Sequence, residues 1–441
     1  NSYIAPHNCW TSVVGGATTI GFGGSVGPEA PIVLTGAAIG SNVSRLAHLN
    51  YKNTTLLLCC GAGAALAAIF KAPITGVVFV LEILMLDLTS RTVVPLLISS
   101  ITAAAIALTI RGFDPIIAIS LTPDDAFRLN QIPLFVLLGI FCGLMSYYFT
   151  TVNARVGAFF KKIDNPYKKW LIGGAVLGIL IYIFPPLYGE GYEGFMSLMH
   201  GNTTELFNNS LFYRFSQIDW VVILFIVGTM FFKVIAMAST NAAGGVGGTF
   251  APSLFVGAFM GAITALVCNT LFGWNLSLVS FTLVGMAGVM SGVMKAPLTS
   301  IFLIAELSSG YGLFIPLMIT ACIAFAIDYY LDPDSIYTKQ LRQNGELITH
   351  NKDESVFVFF EARRPDPGRR SLHPPVPDFG RHRADHVPGA SRRLFPGSRQ
   401  RKTPAGHRPP ERRAGRPVQS AKVRQPDYTL HAPVPRHDPA T

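Results

Sequence analysis

Apolar residues run through this chain in long blocks, nearly end to end from Thr11 to Leu331. A helix needs about 20 apolar residues to cross the hydrocarbon of a bilayer. The clearest cores are Val93–Ile110, Ile132–Val152, Leu171–Pro185, Val221–Met237 and Phe314–Ile327. Other blocks, Thr18–Gly40, Leu56–Leu84, Gly244–Val267 and Leu283–Leu307, are interrupted by Gly and Pro. Broken helices at membrane depth persist only where protein or a water-filled path covers the freed backbone groups. The pattern predicts an all-α membrane protein of tilted and broken transmembrane helices, with any binding site at the interruptions.

The polar punctuation agrees. Trp10, Trp170, Trp220 and Trp274 stand at block edges, where an aromatic belt would place them. The connection Lys161–Lys169 carries Lys161, Lys162, Lys168 and Lys169, which predicts a cytoplasmic position. The chain thus reads as a multi-pass protein of a plasma or inner membrane. Half of its 441 residues are apolar and only 14% are charged, whereas soluble proteins carry about 25% charged residues. The net charge of +10 misleads, because residues 361–441 hold 18 Lys+Arg against 7 Asp+Glu and the remainder is close to neutral. No nucleic-acid partner follows from it. Cys59, Cys60, Cys142, Cys268 and Cys322 sit in apolar stretches without metal-type spacing, and Cys9 stands apart from them. No nucleophile–base pairing stands out, so neither an enzyme nor a cofactor is expected.

Two motifs recur in the same order. Lys71-Ala72-Pro73-Ile74-Thr75 leads to Glu82, and Lys295-Ala296-Pro297-Leu298-Thr299 leads to Glu306, at an offset of 224. Gly24, Gly27, Ala30-Pro31, Gly36-Ala37 and Gly40 match Gly245, Gly248, Ala251-Pro252, Gly257-Ala258 and Gly261 at an offset of 221. Two repeated halves of broken helices are a transporter architecture. Glu82 and Glu306 occupy equivalent places and are read as acceptors of hydrogen bonds between helices. The offset also puts first-half partners of the blocks near Ile132 before Asn1, so about ninety residues of that half are expected upstream.

The Gly-rich stretches carry the candidate chemistry. Gly23-Gly24-Ser25-Val26-Gly27-Pro28 and Gly247-Gly248-Thr249-Phe250-Ala251-Pro252 each precede an apolar helix. In this form the Gly-Gly-x-x-x-Pro cores align at an offset of 224, with Pro28 and Pro252 at early helical positions. A helix N-terminus offers free N–H donors and partial positive charge, which attract an anion. Two such tips meeting inside the bilayer would hold an anion loosely enough to release it. The plainer reading is that these glycines serve close helix packing.

These motifs resemble the CLC chloride channel and transporter family. Gly24-Ser25-Val26-Gly27-Pro28 is similar to the family's G-[K/R]-E-G-P motif, and Gly248-Thr249-Phe250-Ala251-Pro252 to its G-x-F-x-P motif. Asp334-Ser335-Ile336-Tyr337 resembles the short helix that supplies a pore tyrosine. The resemblance implies a membrane pore domain over 1–348, a homodimer with one pore per subunit, and chloride or a similar small anion as substrate. A central site would use the Tyr337 hydroxyl with amides of Thr249 and Phe250. An outer site would use amides near Gly24, Ser25, Phe250 and Ala251, with Val26 and Gly27 in the same loop. The family's gating glutamate falls on Val26, and its second, intracellular proton-transfer glutamate on Ile83. Passive chloride permeation is then the simplest expectation. The alternatives are an anion/proton antiporter with Glu29 as substitute relay, helix-stabilising duty for Glu29, and a non-conducting, lipid-binding remnant. Residues 349–360 resemble the entrance to a cytoplasmic CBS region. The Pro/Arg-rich 361–441 is expected to be disordered, either a natural basic tail or, preferably, an out-of-frame continuation.

Overall fold

The computed structural model describes residues 3–86, 89–112, 125, 127–199, 203–215, 217–308, 310–336 and 339. Tyr337, the 349–360 stretch and the 361–441 tail lie outside them. Among the described residues the regular structure is helical apart from one isolated backbone bridge. The helices are α1 (Asn8–Gly21), α2 (Glu29–Leu46), α3 (Tyr51–Phe70), α4 (Pro73–Glu82), α5 (Ser90–Arg111), α6 (Ile132–Lys161) and α7 (Pro166–Ile183). They continue with α8 (Tyr192–Met199), α9 (Asp219–Ala242), α10 (Phe250–Phe272), α11 (Leu278–Met294), α12 (Pro297–Leu307) and α13 (Phe314–Leu331).

Six of these segments, including α5, α6 and α9, are long and apolar enough to cross a membrane. Their burial shows which face lipid. In α5 only Leu96, Ser100 and Ala104 are buried, a stripe at i, i+4 and i+8, while Val94, Leu97, Ile98, Ile101, Ile106 and Ile110 are exposed. In α11 almost every residue is buried, and in α10 nearly all from Phe250 to Ala265 are, so this pair forms the centre. The four tryptophans are exposed near helix ends. Apolar residues inside and outside alike describe an integral, multi-pass membrane protein.

The Lys-Ala-Pro motifs are helix breaks with a local cause. A residue before proline is barred from helical geometry, so Ala72 and Ala296 leave the helix at φ −122° and −135°. Lys71 and Lys295 end the preceding helices in the left-handed region, at φ 54° and 56°. Pro73 and Pro297 then open new helices without loss, since the first-turn N–H has no intrahelical partner.

The two halves exchange caps. The Glu82 carboxylate accepts from Leu298 N (3.0 Å), Thr299 N (2.7 Å) and Thr299 Oγ1 (2.7 Å). The Glu306 carboxylate accepts from Ile74 N (3.0 Å), Thr75 N (2.8 Å) and Thr75 Oγ1 (2.5 Å). Each glutamate sits at its own helix's C-terminus and caps the other's N-terminus, so α4 and α12 run antiparallel about a two-fold axis. The repeat is therefore inverted, and the inter-helix acceptor role read for both glutamates holds.

Glycines set the closest approaches. A Cβ on Gly36 would overlap the Gly61 carbonyl between α2 and α3, and one on Gly257 the Gly285 carbonyl between α10 and α11. Gly40 and Gly261 are equally tight against Leu57 and Phe281. Thus α3 and α10 are continuous helices despite their glycines, and these particular glycines serve helix packing.

Gly261→Ala must push α10 from α11 and is expected to cost about 1–3 kcal/mol. Gly178→Ala in α7, where a Cβ meets nothing, is expected to be neutral or to stabilise by about 0.5–1 kcal/mol. Unfolding midpoints in detergent check both. Glu82→Ala and Glu306→Ala should each lose about 1–2 kcal/mol of cap stabilisation, with Gln variants losing less. An unchanged midpoint for either Ala variant would show that its cap carries no stability.

Candidate functional site

The tips of α2 and α10 meet head to head. Gly23 and Gly244 turn the chain at φ 90° and 109°, conformations a side chain resists. Gly24 N then donates to Thr19 O (2.8 Å) and Gly245 N to Thr240 O (2.9 Å). The hydroxyls cross over: Thr19 Oγ1 accepts from Val246 N at 3.0 Å, and Thr240 Oγ1 from Ser25 N at 3.4 Å. Between them lies the backbone bridge, Gly27 N to Gly248 O at 3.1 Å and Gly248 N to Gly27 O at 2.7 Å. Side chains at either glycine would collide with Glu29 or Ala30.

Every reciprocal pair here is 221 residues apart, which corrects the alignment of the two Gly-Gly-x-x-x-Pro cores at 224. Pro28 is the N-cap of α2, and the helix starts at Glu29 as α10 starts at Phe250. Glu29 is thus the counterpart of Phe250, and Val26 that of Gly247. Val26 is fully buried and packs against Gly247, where a Cβ would overlap it. Only this register lets both bridge hydrogen bonds form.

A count of backbone donors corrects a second expectation. The amides of Gly24, Val26 and Gly27 donate to carbonyls, and that of Ser25 to Thr240. None is left for an outer anion site at Gly24 or Ser25. The amides of Thr249, Phe250 and Ala251, in the first turn of α10, make no backbone hydrogen bond among the described residues. Ser25 Oγ, Thr249 Oγ1 and Glu29 Oε2 are buried without a partner among those residues. All three lie within two residues of the bridge. Buried polar atoms rarely stay unpaired, so this is a place built to receive something polar.

Glu29 partly fills it. Its side chain is buried, and its Oε1 accepts from the Tyr192 hydroxyl at 2.6 Å. A Cβ on Gly27 would overlap Glu29 Oε2 and come 3.1 Å from Ala251 N, so the carboxylate lies at the tip of α10. Phe250 stacks on Phe70 with ring centres 5.6 Å apart. Ile83 caps the end of α4 and packs against the apolar core.

One cavity reaches the α2 tip and a second reaches the end of α9, the helix that leads into the α10 loop. The first, about 570 Å³, is lined by Pro28, Glu29, Phe70, Lys71, Arg111, Glu190 and Tyr192. The other, about 450 Å³, is lined by Lys161, Lys169, Asn241, Ala242, Asp334, Ile336 and Lys339. They open at opposite ends. Gly139 of α6 lies against Thr320 and Gly143 against Ala324, so α6 and α13 run parallel. Lys161 then shares an end with Lys295, which is paired with Asp328, and the two-fold relation sends Lys295 to Lys71 at the other end.

Tyr192, Glu190 and Lys233 were not singled out from sequence. Lys233 carried a signal, as an ionisable residue in the middle of an apolar block. It is fully buried in α9, donates to Gly189 O at 2.9 Å and lies 4.9 Å from the Phe255 ring centre. Glu190 supplies the nearby opposite charge. Tyr192 carried no such signal, since its contact with Glu29 spans 163 residues of chain.

Comparison with known proteins bears on the same region. The family model described as voltage gated chloride channel matches residues 1–329. A putative chloride channel protein ClcB-like of Ralstonia nicotianae is 28% identical, over 74% of this chain and 73% of that protein. An H(+)/Cl(-) exchange transporter ClcA of Vibrio cholerae is 29% identical, over 75% of this chain and 68% of its own length. The crystal structure of a slow cyanobacterial Cl-/H+ antiporter superposes with a TM-score of 0.64 at 27% identity, covering 76% of each chain. With the matched region enclosing the inverted repeat and the paired helix tips, the chain belongs to the voltage gated chloride channel family.

Proposed function

We propose that this chain transports a small anion, chloride, between the two cavities by way of the α10 tip, with Glu29 as a protonatable gate. The observation that carries this reading is the buried Glu29 carboxylate beside the Ala251 amide at the α10 tip, an amide that makes no backbone hydrogen bond among the described residues. In the register of the bridge, Gly27-Pro28-Glu29-Ala30-Pro31 stands opposite Gly248-Thr249-Phe250-Ala251-Pro252. It keeps the glycine, glutamate and final proline of the family's G-[K/R]-E-G-P motif, with Pro28 and Ala30 as departures. The gate position is then Glu29 and not Val26.

The physics of exclusion supports a gate. Two unit negative charges about 4 Å apart repel by about 4 kcal/mol at an effective dielectric near 20, so carboxylate and chloride compete for the same donors. Protonation of Glu29 removes its charge and frees the α10 tip. The basic residues at the second cavity, Lys161, Lys169 and Lys339 against Asp334, raise the local concentration of anions. The names of the relatives include both a chloride channel and chloride/proton exchangers, and Glu29 as gate and proton carrier favours coupled exchange.

Ile83 favours a second reading. The residue after Glu82 has no proton to give, which favours a passive path whose gate is still titrated from the Glu29 cavity. The homodimer implied by the family resemblance belongs to either reading.

In vesicles with the protein incorporated, a chloride gradient is expected to drive uphill proton movement, and acidification to speed chloride efflux. Glu29→Gln should abolish the proton movement and leave chloride efflux nearly independent of pH. Chloride efflux that depends on Glu29 and pH without proton movement selects the passive reading. Wild-type and Glu29→Gln protein with the same pH profile would overturn the gate.

A further inference from the structure

We propose that the loop 189–192 is a latch for the gate: Tyr192 holds the Glu29 carboxylate in its blocking position, and buried Lys233 anchors the loop that presents Tyr192. The inference rests on the reading of Glu29 as gate and adds two positioning residues to it.

The Tyr192 side is direct. Its hydroxyl donates to Glu29 Oε1 at 2.6 Å, a distance typical of a hydrogen bond to an ionised acceptor. The ring is fixed from behind by an edge-on contact with Phe195 of α8, with centres 5.5 Å apart. The groups that face Glu29 are few. Glu190 comes from the loop, Tyr192 from the first position of α8 and the Ala251 amide from α10, while Lys71 and Arg111 line the same cavity. Tyr192 alone donates a side-chain hydrogen bond to it among the described residues.

The Lys233 side acts through the backbone. A buried ammonium is costly unless its charge and donors are met. Here the Gly189 carbonyl, the Phe255 ring and Glu190 meet them. Gly189 and Gly191 take φ 60° and 89°. A Cβ on Gly191 would come 2.6 Å from the Phe255 ring and 3.3 Å from Lys233 Nζ. The Gly-Glu-Gly-Tyr sequence is therefore shaped to close over Lys233, and closing it delivers Tyr192, three residues after the anchored Gly189, onto Glu29.

The sign follows from the donor. A hydroxyl that donates to the ionised carboxylate favours the charged, blocking state over the protonated, open one. Removing it makes protonation easier, so the path opens at higher pH.

The test is chloride efflux from phosphatidylethanolamine/phosphatidylglycerol vesicles across a pH series, with Tyr192→Phe and Lys233→Met made alone and with Glu29→Gln. Tyr192→Phe is expected to raise efflux at neutral pH about tenfold and to move the pH midpoint up by about one unit. In the Glu29→Gln background it should change nothing beyond twofold. Lys233→Met should act in the same direction, again only with Glu29 present; if it yields no folded protein, Tyr192→Phe decides alone. A Tyr192→Phe profile that overlays the wild type, or an equal effect with and without Glu29, overturns the latch. A Glu29→Gln variant that keeps the wild-type pH profile overturns the gate itself, a different and separable failure.

Discussion

A backbone amide inside a membrane protein must donate to something, because no water is at hand to take the hydrogen bond. That requirement organises the interior of this chain. Where the apolar blocks break, amides are freed, and nearly all find fixed partners: the Glu82 and Glu306 carboxylates, the Thr19 and Thr240 hydroxyls, and the two carbonyls of the Gly27–Gly248 bridge. The first turns of α2 and α10 are the exceptions at the tips: among the described residues the amides of Glu29 and Ala30, and those of Phe250 and Ala251, make no backbone hydrogen bond. The Ala251 amide lies beside the Glu29 carboxylate, and in the proposed function a proton on that carboxylate lets an anion take its place.

The same requirement explains why the halves interlock. The starts of α4 and α12 have no side-chain cap from their own residues, and each is closed from the other half. Half one lends Glu82 to α12, half two lends Glu306 to α4, and the threonines trade in the same fashion. Contacts of this reciprocal kind need a two-fold axis, and the axis brings the α2 and α10 tips together at its centre. Three residues separate the offsets of 221 and 224. The first applies through Gly40 and Gly261, and the second from Lys71 and Lys295 onward. The intervening segment absorbs the difference without disturbing either set of contacts, because the paired glycines between α2 and α3, and between α10 and α11, keep both packings equally close.

Much of this was legible in the sequence, and for identifiable reasons. Proline dictates the Lys-Ala-Pro breaks locally, so their positions could be read without a fold. Glu82 and Glu306 could be read as inter-helix acceptors because the repeat put them in equivalent places. The register of the tips was harder. Gly-Gly-x-x-x-Pro matches itself at 224, and Gly-x-x-Ala-Pro matches at 221, since glycine and proline recur in both. Only the helix starts at Glu29 and Phe250 and the reciprocal bridge discriminate, and those are facts of three dimensions. The register has a consequence, because it sets Glu29 and not Val26 opposite Phe250, and the proposed gate moves with it. The spent amides of Gly24 and Ser25 were illegible for the same reason, as their acceptors lie in a fold the sequence does not draw.

The chemistry of Val26 and Glu29 can now be set side by side. Both are buried within the same short segment, yet their surroundings differ in kind. Val26 faces the glycine of the opposite loop and fills space. Glu29 faces a hydroxyl, amides and a cavity that also holds Lys71 and Arg111. A carboxylate enclosed by protein is tolerated only if its charge is met, and here it is met by groups that would serve a chloride equally well. In the proposed function this position has two occupants, one tethered and one free. A chain that wanted only a stable helix start could have used the fixed caps that α4 and α12 already have. Glu29 has one oxygen held by Tyr192 and the other without a partner among the described residues, and on the proposed reading that half-met carboxylate keeps the balance between the two occupants close enough for a single proton to reverse it.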